Sequence, residues 1–318
     1  MHLRHLVLIV AVATPLTAAC DAAFPQRAKT AFNGQQALGY AQAQVSFGPR
    51  VPGTPAAKKA GDWIVAQMRQ RADTVTVQSW THVTMAHDTL PLRNILARFN
   101  PKATQRILYL THWDTRPHAD EDPVFGKRAG SFDAANDGAS GVGLFVALGD
   151  FLKKNPPTVG VDLLFVDGED WGEFTDYEAG KAPDVLIGST YFVQHLPEPG
   201  YKPMFGVLFD MIGDKDLNIN EETNSLETAP EVVGRVWQTA AELGYSKYFI
   251  PADGGAITDD HLPFLKAGMH VIDVVDINFP LPPPSTVNYH HTTMDTMDKI
   301  SAKSLQVVGD VAVKLITG

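Results

Sequence analysis

Short, nearly continuous apolar runs alternate along this chain with longer stretches whose apolar positions recur every three to four residues. The first kind reads as buried strand and the second as helix. From 31 to 70 the pattern is helical, in FNGQQALGYAQAQVSF and AAKKAGDWIVAQMRQ, interrupted by the turn-rich GPRVPGTP. TVTVQSWTHVTM (74–85) alternates as a strand does, LRNILARFN (92–100) is a second strand, and RILYLTHWD (106–114) is a compact apolar third. A long polar loop then runs to Asn136. GASGVGLFVALGDFLKKN (138–155) predicts a helix opening on small residues, VGVDLLFVDGED (159–170) a strand, DVLIGSTYFVQHL (184–196) a helix and PMFGVLFDMIG (203–213) a strand. APEVVGRVWQTAAELGY (229–245) is an amphipathic helix, HLPFLKAG (261–268) a short one, and MHVIDVVDI (269–277) a strand. The closing helix, DKISAKSLQVVGDVAVKLIT, takes Ser301 as its cap.

Strands that alternate with helices and look buried on both faces predict an α/β fold. The expected architecture is a single-domain, three-layer sandwich with a central mixed, mostly parallel sheet flanked by helices. A chain of 318 residues, 44% hydrophobic, can bury one core of that size. Repeats and low-complexity segments are absent from the sequence, and no phosphate-binding glycine motif stands in usable context. PLPPPS (280–285) reads as a rigid surface loop close to the residues of chemical interest.

The first residues are a separate unit. MHLRH is positively charged, LVLIVAVATPL is an apolar run of signal-peptide length, and LTAAC ends in Cys20, the single cysteine. Small residues before a cysteine resemble a bacterial lipoprotein cleavage site, with a plain secretory signal as the alternative. The chain is therefore divided into a lipoprotein-type signal peptide (1–19), a tether (20–30) and a catalytic domain (31–318). It is expected to be exported and lipid-anchored at Cys20, facing the periplasm, with the choice of inner or outer membrane open. One cysteine excludes an internal disulfide. A net charge of −10 argues against nucleic acid as partner. Membrane contact is expected through the lipid anchor only, and the protein is expected to be a monomer.

The chemistry-bearing residues gather where strands end, the edge at which open α/β sheets place their sites. His112 and Asp114 close one strand, Glu169 and Asp170 another and Asp210 a third. Asp137 precedes a helix, and His291 lies before the last helix. Any one of these is an ordinary cap or anchor. Together they are clustered carboxylates that repel, and a divalent cation removes that cost. Zinc takes imidazole nitrogen and carboxylate oxygen in a small tetrahedral shell. The adjacent acids divide the work: Asp170, with the shorter reach, suits the metal, and Glu169, the longer, suits proton transfer.

The ordered set His112-Trp-Asp114, Asn136-Asp137-Gly-Ala-Ser-Gly, Asp167-Gly-Glu169-Asp170, Phe209-Asp210-Met-Ile-Gly and His291-Thr-x-x-Asp295-Thr resembles the zinc aminopeptidases of peptidase family M28. The resemblance covers nearly all of the mature chain, and FGPRVPGT (47–54) is similar to the start of that family. It implies two zinc ions sharing Asp137. His112 and Asp210 would complete one, Asp170 and His291 the other, with Glu169 as general base and Asp114 orienting His112. A branch of the same fold, the animal-type glutaminyl cyclases that bacteria also possess, is more similar still in HWDTRPHADEDP (112–123), DGEDWGEF (167–174), LFDMIGDKDLNI (208–219) and ITDDHLPFL (257–265). That resemblance implies one zinc, held by Asp137, Asp170 and His291, and a proton-sharing pair of Asp210 and Asp259 beside the catalytic Glu169. His112 would be retained without a well-occupied metal.

The implied activity converts the N-terminal glutamine of peptides or proteins to pyroglutamate with release of ammonia. The alternatives are a two-zinc aminopeptidase and a non-catalytic peptide-binding lipoprotein. Two features depart from the cyclase pattern. Tyr289 and His290 stand where a tryptophan precedes the last zinc histidine, and the spacing His-x-x-x-Asp-Thr selects His291 over His290. The tryptophan after the acid pair is also shifted, since Trp171 sits close behind Asp170 while the pattern falls nearer Thr175. Trp113, Trp171 and His290 are the expected pocket wall, with ordinary packing as the other reading of the two tryptophans.

Overall fold

Capping side chains mark where the first helices start. Asn33 accepts from the Gln36 amide ahead of α1 (Gly34–Val45), and Thr54 accepts from the Ala57 amide ahead of α2 (Pro55–Arg69), which begins on proline. Strands β1 (Thr74–Val83), β2 (Thr89–Phe99) and β3 (Arg106–His112) follow, then α3 (Ala139–Lys154), β4 (Gly160–Val166), α4 (Phe174–Glu178), α5 (Ile187–Gln194) and β5 (Phe205–Asp210). The last part of the chain adds β6 (Ile219–Glu221), α6 (Thr223–Thr228), α7 (Pro230–Glu242), β7 (Phe249–Asp253), α8 (His261–Lys266), β8 (Val271–Val275) and α9 (Ala302–Thr317). Ser301 caps α9 by accepting from the Ser304 amide. These coordinates are a computed structural model that describes residues 30–178, 180–181, 184–277 and 288–318, and only the backbone of Asp176 and Glu178. The expected signal peptide, the tether as far as residue 29 with Cys20, and the loop at 280–285 lie outside the described residues.

Six strands form one mixed sheet in the order β1-β2-β4-β3-β5-β8. The pairs β4–β3, β3–β5 and β5–β8 are parallel, while β2 runs antiparallel to both β1 and β4. Every residue of β3, β4, β5 and β8 is buried, whereas β1 at the edge exposes alternate positions. Helices cover both faces. Alternation along the strands sends Ile95, Tyr109, Phe165 and Phe209 into a core with Ile64, Phe145, Val236 and Val308, from α2, α3, α7 and α9. Leu96, Leu108, Leu110 and Leu164 face the other way, onto Phe192 of α5 and Phe264 of α8. The architecture is thus a three-layer α/β sandwich. Among the described residues no helix is long and apolar enough to cross a membrane.

The strands stop earlier than the apolar pattern suggests: β3 ends at His112 and not 114, β4 at Val166 and not 170, β5 at Asp210 and not 213. The polar residues beyond these ends leave the ladder to point into a site. A small parallel sheet of β6 and β7, and the short helices α4 and α6, are not foreseen in the pattern, because elements of three to six residues are too short to display a period.

Helix α3 lies close on the sheet because its first turn carries no bulk. A Cβ built on Gly141 would stand 2.0 Å from Thr111 Oγ1 and 2.9 Å from the Phe209 carbonyl oxygen. Gly141→Ala is therefore expected to destabilise the fold by about 1–3 kcal/mol, the range for overpacking a filled core, as read from the urea or thermal unfolding midpoint.

Candidate active site and metal centre

The parallel strands deliver their carboxyl ends to one edge. His112 ends β3, and its Nε2 lies 2.9 Å from Asp137 Oδ1 and 3.1 Å from Asp210 Oδ1, at the end of β5. Its Nδ1 faces Asp114 Oδ1 at 3.6 Å. Asp137 stands just ahead of α3 in a cramped corner. The next residue, Gly138, has φ +83°, and a Cβ there would come within 3.0 Å of both the Asp114 carbonyl and His112 Cε1. The backbone at this corner is held from outside: Asn136 and Asp137 donate their amides to Asp295, at 2.8 and 3.1 Å. Fully buried Arg50 donates to the carbonyls of Asp133 and Ala134. Burial and the charge of Asp137 push the Asp295 carboxyl up to about 7.

A second group of ligand atoms shares Asp137. His291 Nε2 lies 3.5 Å from Asp137 Oδ2 and 3.3 Å from Asp170 Oδ1. Beyond β4 the chain turns through Gly168 (φ +69°), and Asp114 accepts the amides of Glu169 and Asp170 at 3.2 and 3.3 Å. Those bonds hold the two neighbouring acids apart in function: Asp170 turns to His291, and Glu169 lines the cavity. His291 adopts a left-handed backbone (φ +49°), uncommon for a residue with a side chain. Its Nδ1 faces Glu121 Oε1 at 3.6 Å, the second partner that metal-bound imidazoles commonly have.

The donor set fits zinc. The oxygens Asp137 Oδ2 and Asp170 Oδ2 are buried with no hydrogen-bond partner, and with His291 they form a group whose ligand atoms lie within 4.8 Å of one another. Two carboxylates and one imidazole are a zinc set that leaves a position open. A second such group, His112, Asp137 and Asp210, meets the same limit. Burial disfavours charge on His291, but the carboxylates of Asp170, Glu121 and Asp137 outweigh it and raise the imidazole to about 10, a proton that a cation would displace.

Glu169, Asp210 and Asp259 line one cavity of about 420 Å³ together with Asp137, His290 and His291. Burial, then the charge of Asp170, pushes Glu169 well above the usual carboxylate range. Burial, then Asp210 and Asp260, does the same to Asp259. Asp260 lies behind and accepts from Ser189, and burial lifts it to about 7. Deeper still, His261 sits between Glu222 (3.2 Å) and Asp273 (3.7 Å).

Two expected wall residues are corrected. Trp113 does not face the cavity: it is buried, donates to the Arg93 carbonyl at 3.3 Å, lies under the Arg93 guanidinium, and borders a separate groove with Trp80 and Asp167. It stands between His112 and Asp114 on an extended tip, where successive side chains point to opposite sides. Trp171 packs on Leu90, Leu92 and Ile187. The aromatic wall is instead Phe174, whose ring stacks on His291 at 6.3 Å, together with His290. Arg116 and Glu121 also belong to the site. Arg116 Nη1 donates to Asp170 Oδ1 at 3.1 Å and to the Gly172 carbonyl at 2.8 Å. Both stand in a loop without periodicity, and nothing local in the sequence marks them.

The sequence pattern described as Peptidase family M28 matches residues 94–316. The Bacillus subtilis aminopeptidase YwaD is 26% identical over 271 residues, covering 82% of this chain but 52% of that protein, so this chain spans about half its length. The Bos taurus glutaminyl-peptide cyclotransferase is 26% identical over 285 residues, covering 79% of this chain and 76% of that protein. Among solved structures, Porphyromonas gingivalis glutaminyl cyclase superposes with a TM-score of 0.83 at 38% identity, covering 90% of this chain and 98% of that one.

Glu121 orients His291, so Glu121→Gln is expected to weaken zinc retention about 10- to 100-fold, measured by competition with a chelator. Burial opposes the charge of Glu222, but the His261 imidazole and the amides of Ile257 and Asn224 outweigh it and hold the carboxyl near 2. A folded value below the unfolded one, about 4.3, means that this stabilisation is complete above the unfolded pKa and is lost as pH falls toward 2. Glu222→Gln should therefore flatten the fall in unfolding midpoint between about pH 4.5 and 2.

Proposed function

The chain belongs to peptidase family M28, and within that family we propose that it is a zinc-dependent glutaminyl-peptide cyclotransferase. The observation that carries this reading is the protonatable group around Glu169. Asp259, supplied by the doubled acid ahead of His261, shares the cavity with Glu169 and Asp210, and burial and the charge of Asp210 push its carboxyl well above the usual carboxylate range. Hydrolysis also passes one proton through a single carboxylate, from water to the leaving amine, so what favours cyclisation here is the extra acid pair of Asp210 and Asp259 beside that carboxylate. Cyclisation moves a proton from an amine to a leaving ammonia, and carboxylates kept partly neutral serve that exchange.

Asp137, Asp170 and His291 would hold the zinc, which when bound supplies a Lewis acid to the γ-carboxamide oxygen of an N-terminal glutamine. Glu169 accepts a proton from the α-amine as its nitrogen bonds to the side-chain amide carbon. The same carboxyl returns a proton to the amide nitrogen, whose bond to carbon breaks, and ammonia leaves. Protonated Asp259, next to Asp210, donates a hydrogen bond to charge that develops during the exchange. The cavity walls hold amine and amide together, which favours the intramolecular reaction. The products are a pyroglutamyl peptide and ammonia.

A second reading has its own support. His112, Asp137 and Asp210 form a complete second ligand group, and the similarity to an aminopeptidase is of the same degree as that to the bovine cyclotransferase. Those residues, with Asp170 and His291, would then hold two zinc ions, and Glu169 would deprotonate the water that releases N-terminal residues.

The soluble domain, loaded with zinc, is expected to release ammonia from Gln-peptides and leave a blocked N-terminus. One zinc per chain is expected, and stripping the metal should abolish turnover. Free leucine from Leu-peptides, with two zinc ions per chain, would overturn the proposal in favour of hydrolysis. Glu169→Gln should lower turnover about 10²- to 10⁴-fold in either case, which tests the site and not the choice.

A further inference from the structure

The mouth of the cavity is lined by carboxylates, one of which, Glu173, has no part in either chemistry. Asp120, Glu121 and Glu173 stand at it, with side chains 38%, 53% and 70% exposed. Among the described residues that line the cavity, Arg116 is the one lysine or arginine. Its charge is already committed. The side chain is 6% exposed, and its guanidinium donates Nε and Nη2 to Asp120 at 2.8 and 2.6 Å and Nη1 to Asp170 and the Gly172 carbonyl. Glu173 receives only the far edge of that group, with Arg116 Nη2 at 3.8 Å. Asp120 thus takes the inward-turned guanidinium, Glu121 faces His290 Nδ1 at 3.5 Å and His291 Nδ1 at 3.6 Å, and Glu173 keeps that 3.8 Å approach of Arg116 Nη2.

We propose that this rim makes the site selective for peptides with lysine or arginine directly after the reacting N-terminal residue. The inference rests on the reading of this cavity as the active site, and it holds for cyclisation and for hydrolysis alike. The first residue must reach Glu169 and the metal ligands at the bottom, which leaves the second at the mouth. Phe174, Ile257 and Ile277 line the same cavity and offer apolar surface to a methylene stem, while Glu173 offers an acceptor to its charged head. A second-residue aspartate or glutamate would meet the same carboxylates and find no uncommitted lysine or arginine among the described lining residues. A cleft of one sign also gathers oppositely charged substrate, the more so in a chain of net charge −10.

The test compares kcat/KM for Gln-Lys-Ala and Gln-Glu-Ala, and for Leu-Lys-Ala and Leu-Glu-Ala, at about 20 mM and 1 M salt. A preference for the lysine peptide of about tenfold at low salt is expected, the size of exchanging one exposed attraction for a repulsion. It should shrink toward unity at high salt, and Glu173→Gln should reduce it. Equal rates, or a preference for the glutamate peptide, overturn the inference, and a preference unchanged in Glu173→Gln overturns the role of that residue. If Gln-peptides are inert and Leu-peptides are cleaved, the cyclase reading fails while the Leu pair still decides this one. If neither pair is turned over, calorimetric affinities of the same peptides for the zinc-loaded protein supply the ratio.

Discussion

One carboxylate serves two imidazoles. Asp137 turns Oδ1 to His112 at 2.9 Å and Oδ2 toward His291 at 3.5 Å, and the rest of the site is arranged around that division. Asp114, Asp137, Glu169, Asp170, Asp210 and Asp259 are all buried at one edge of the sheet. Without positive charge such a concentration would drive its members to protonate or the fold to open. A cation between the shared aspartate and its neighbours removes that conflict. The requirement reaches into the backbone: glycine at 138 admits His112 beside the turn, glycine at 141 lets α3 approach β3 and β5, and Asp295 holds the amides of 136 and 137.

The two candidate ligand groups are supported in parallel. Asp114 faces His112 Nδ1 and Glu121 faces His291 Nδ1, so each imidazole is backed by a carboxylate from the segment that follows β3. Asp114 has a further task. By accepting the amides of both Glu169 and Asp170 it fixes the tip beyond β4, and the two adjacent acids diverge from there. Asp170 goes to His291 and Arg116, while Glu169 stays in the cavity with Asp259. The proposed roles of proton transfer and metal holding would thereby fall on residues one peptide unit apart.

Much of this was legible along the chain. The long helices and the sheet strands carry periods that survive folding, and the acids at 137, 169, 170, 210 and 259 advertise themselves by standing after apolar runs or before helices. The aromatic wall was not legible. Trp113 and Trp171 lie within two residues of ligand or base candidates, yet both pack away from the cavity: Trp113 follows the strand end at His112 and turns to the opposite side, and Trp171, on the bend beyond β4, packs on Leu90, Leu92 and Ile187. Phe174, in a helix of five residues, had no period to mark it.

The order of motifs alone determined the α/β class, the edge of the sheet that bears the site and the residue types that would meet there, since burial patterns and strand-end acids are local properties of the chain. Only the tertiary structure decided that Asp137 stands between two histidines 179 positions apart in the chain. It also decided that Arg116 spends its charge on Asp120 and Asp170, and that the mouth is left acidic. The physical reason is that an ionic or metal-ligand contact depends on distance in space, and loops without periodicity set that distance through bonds to remote backbone.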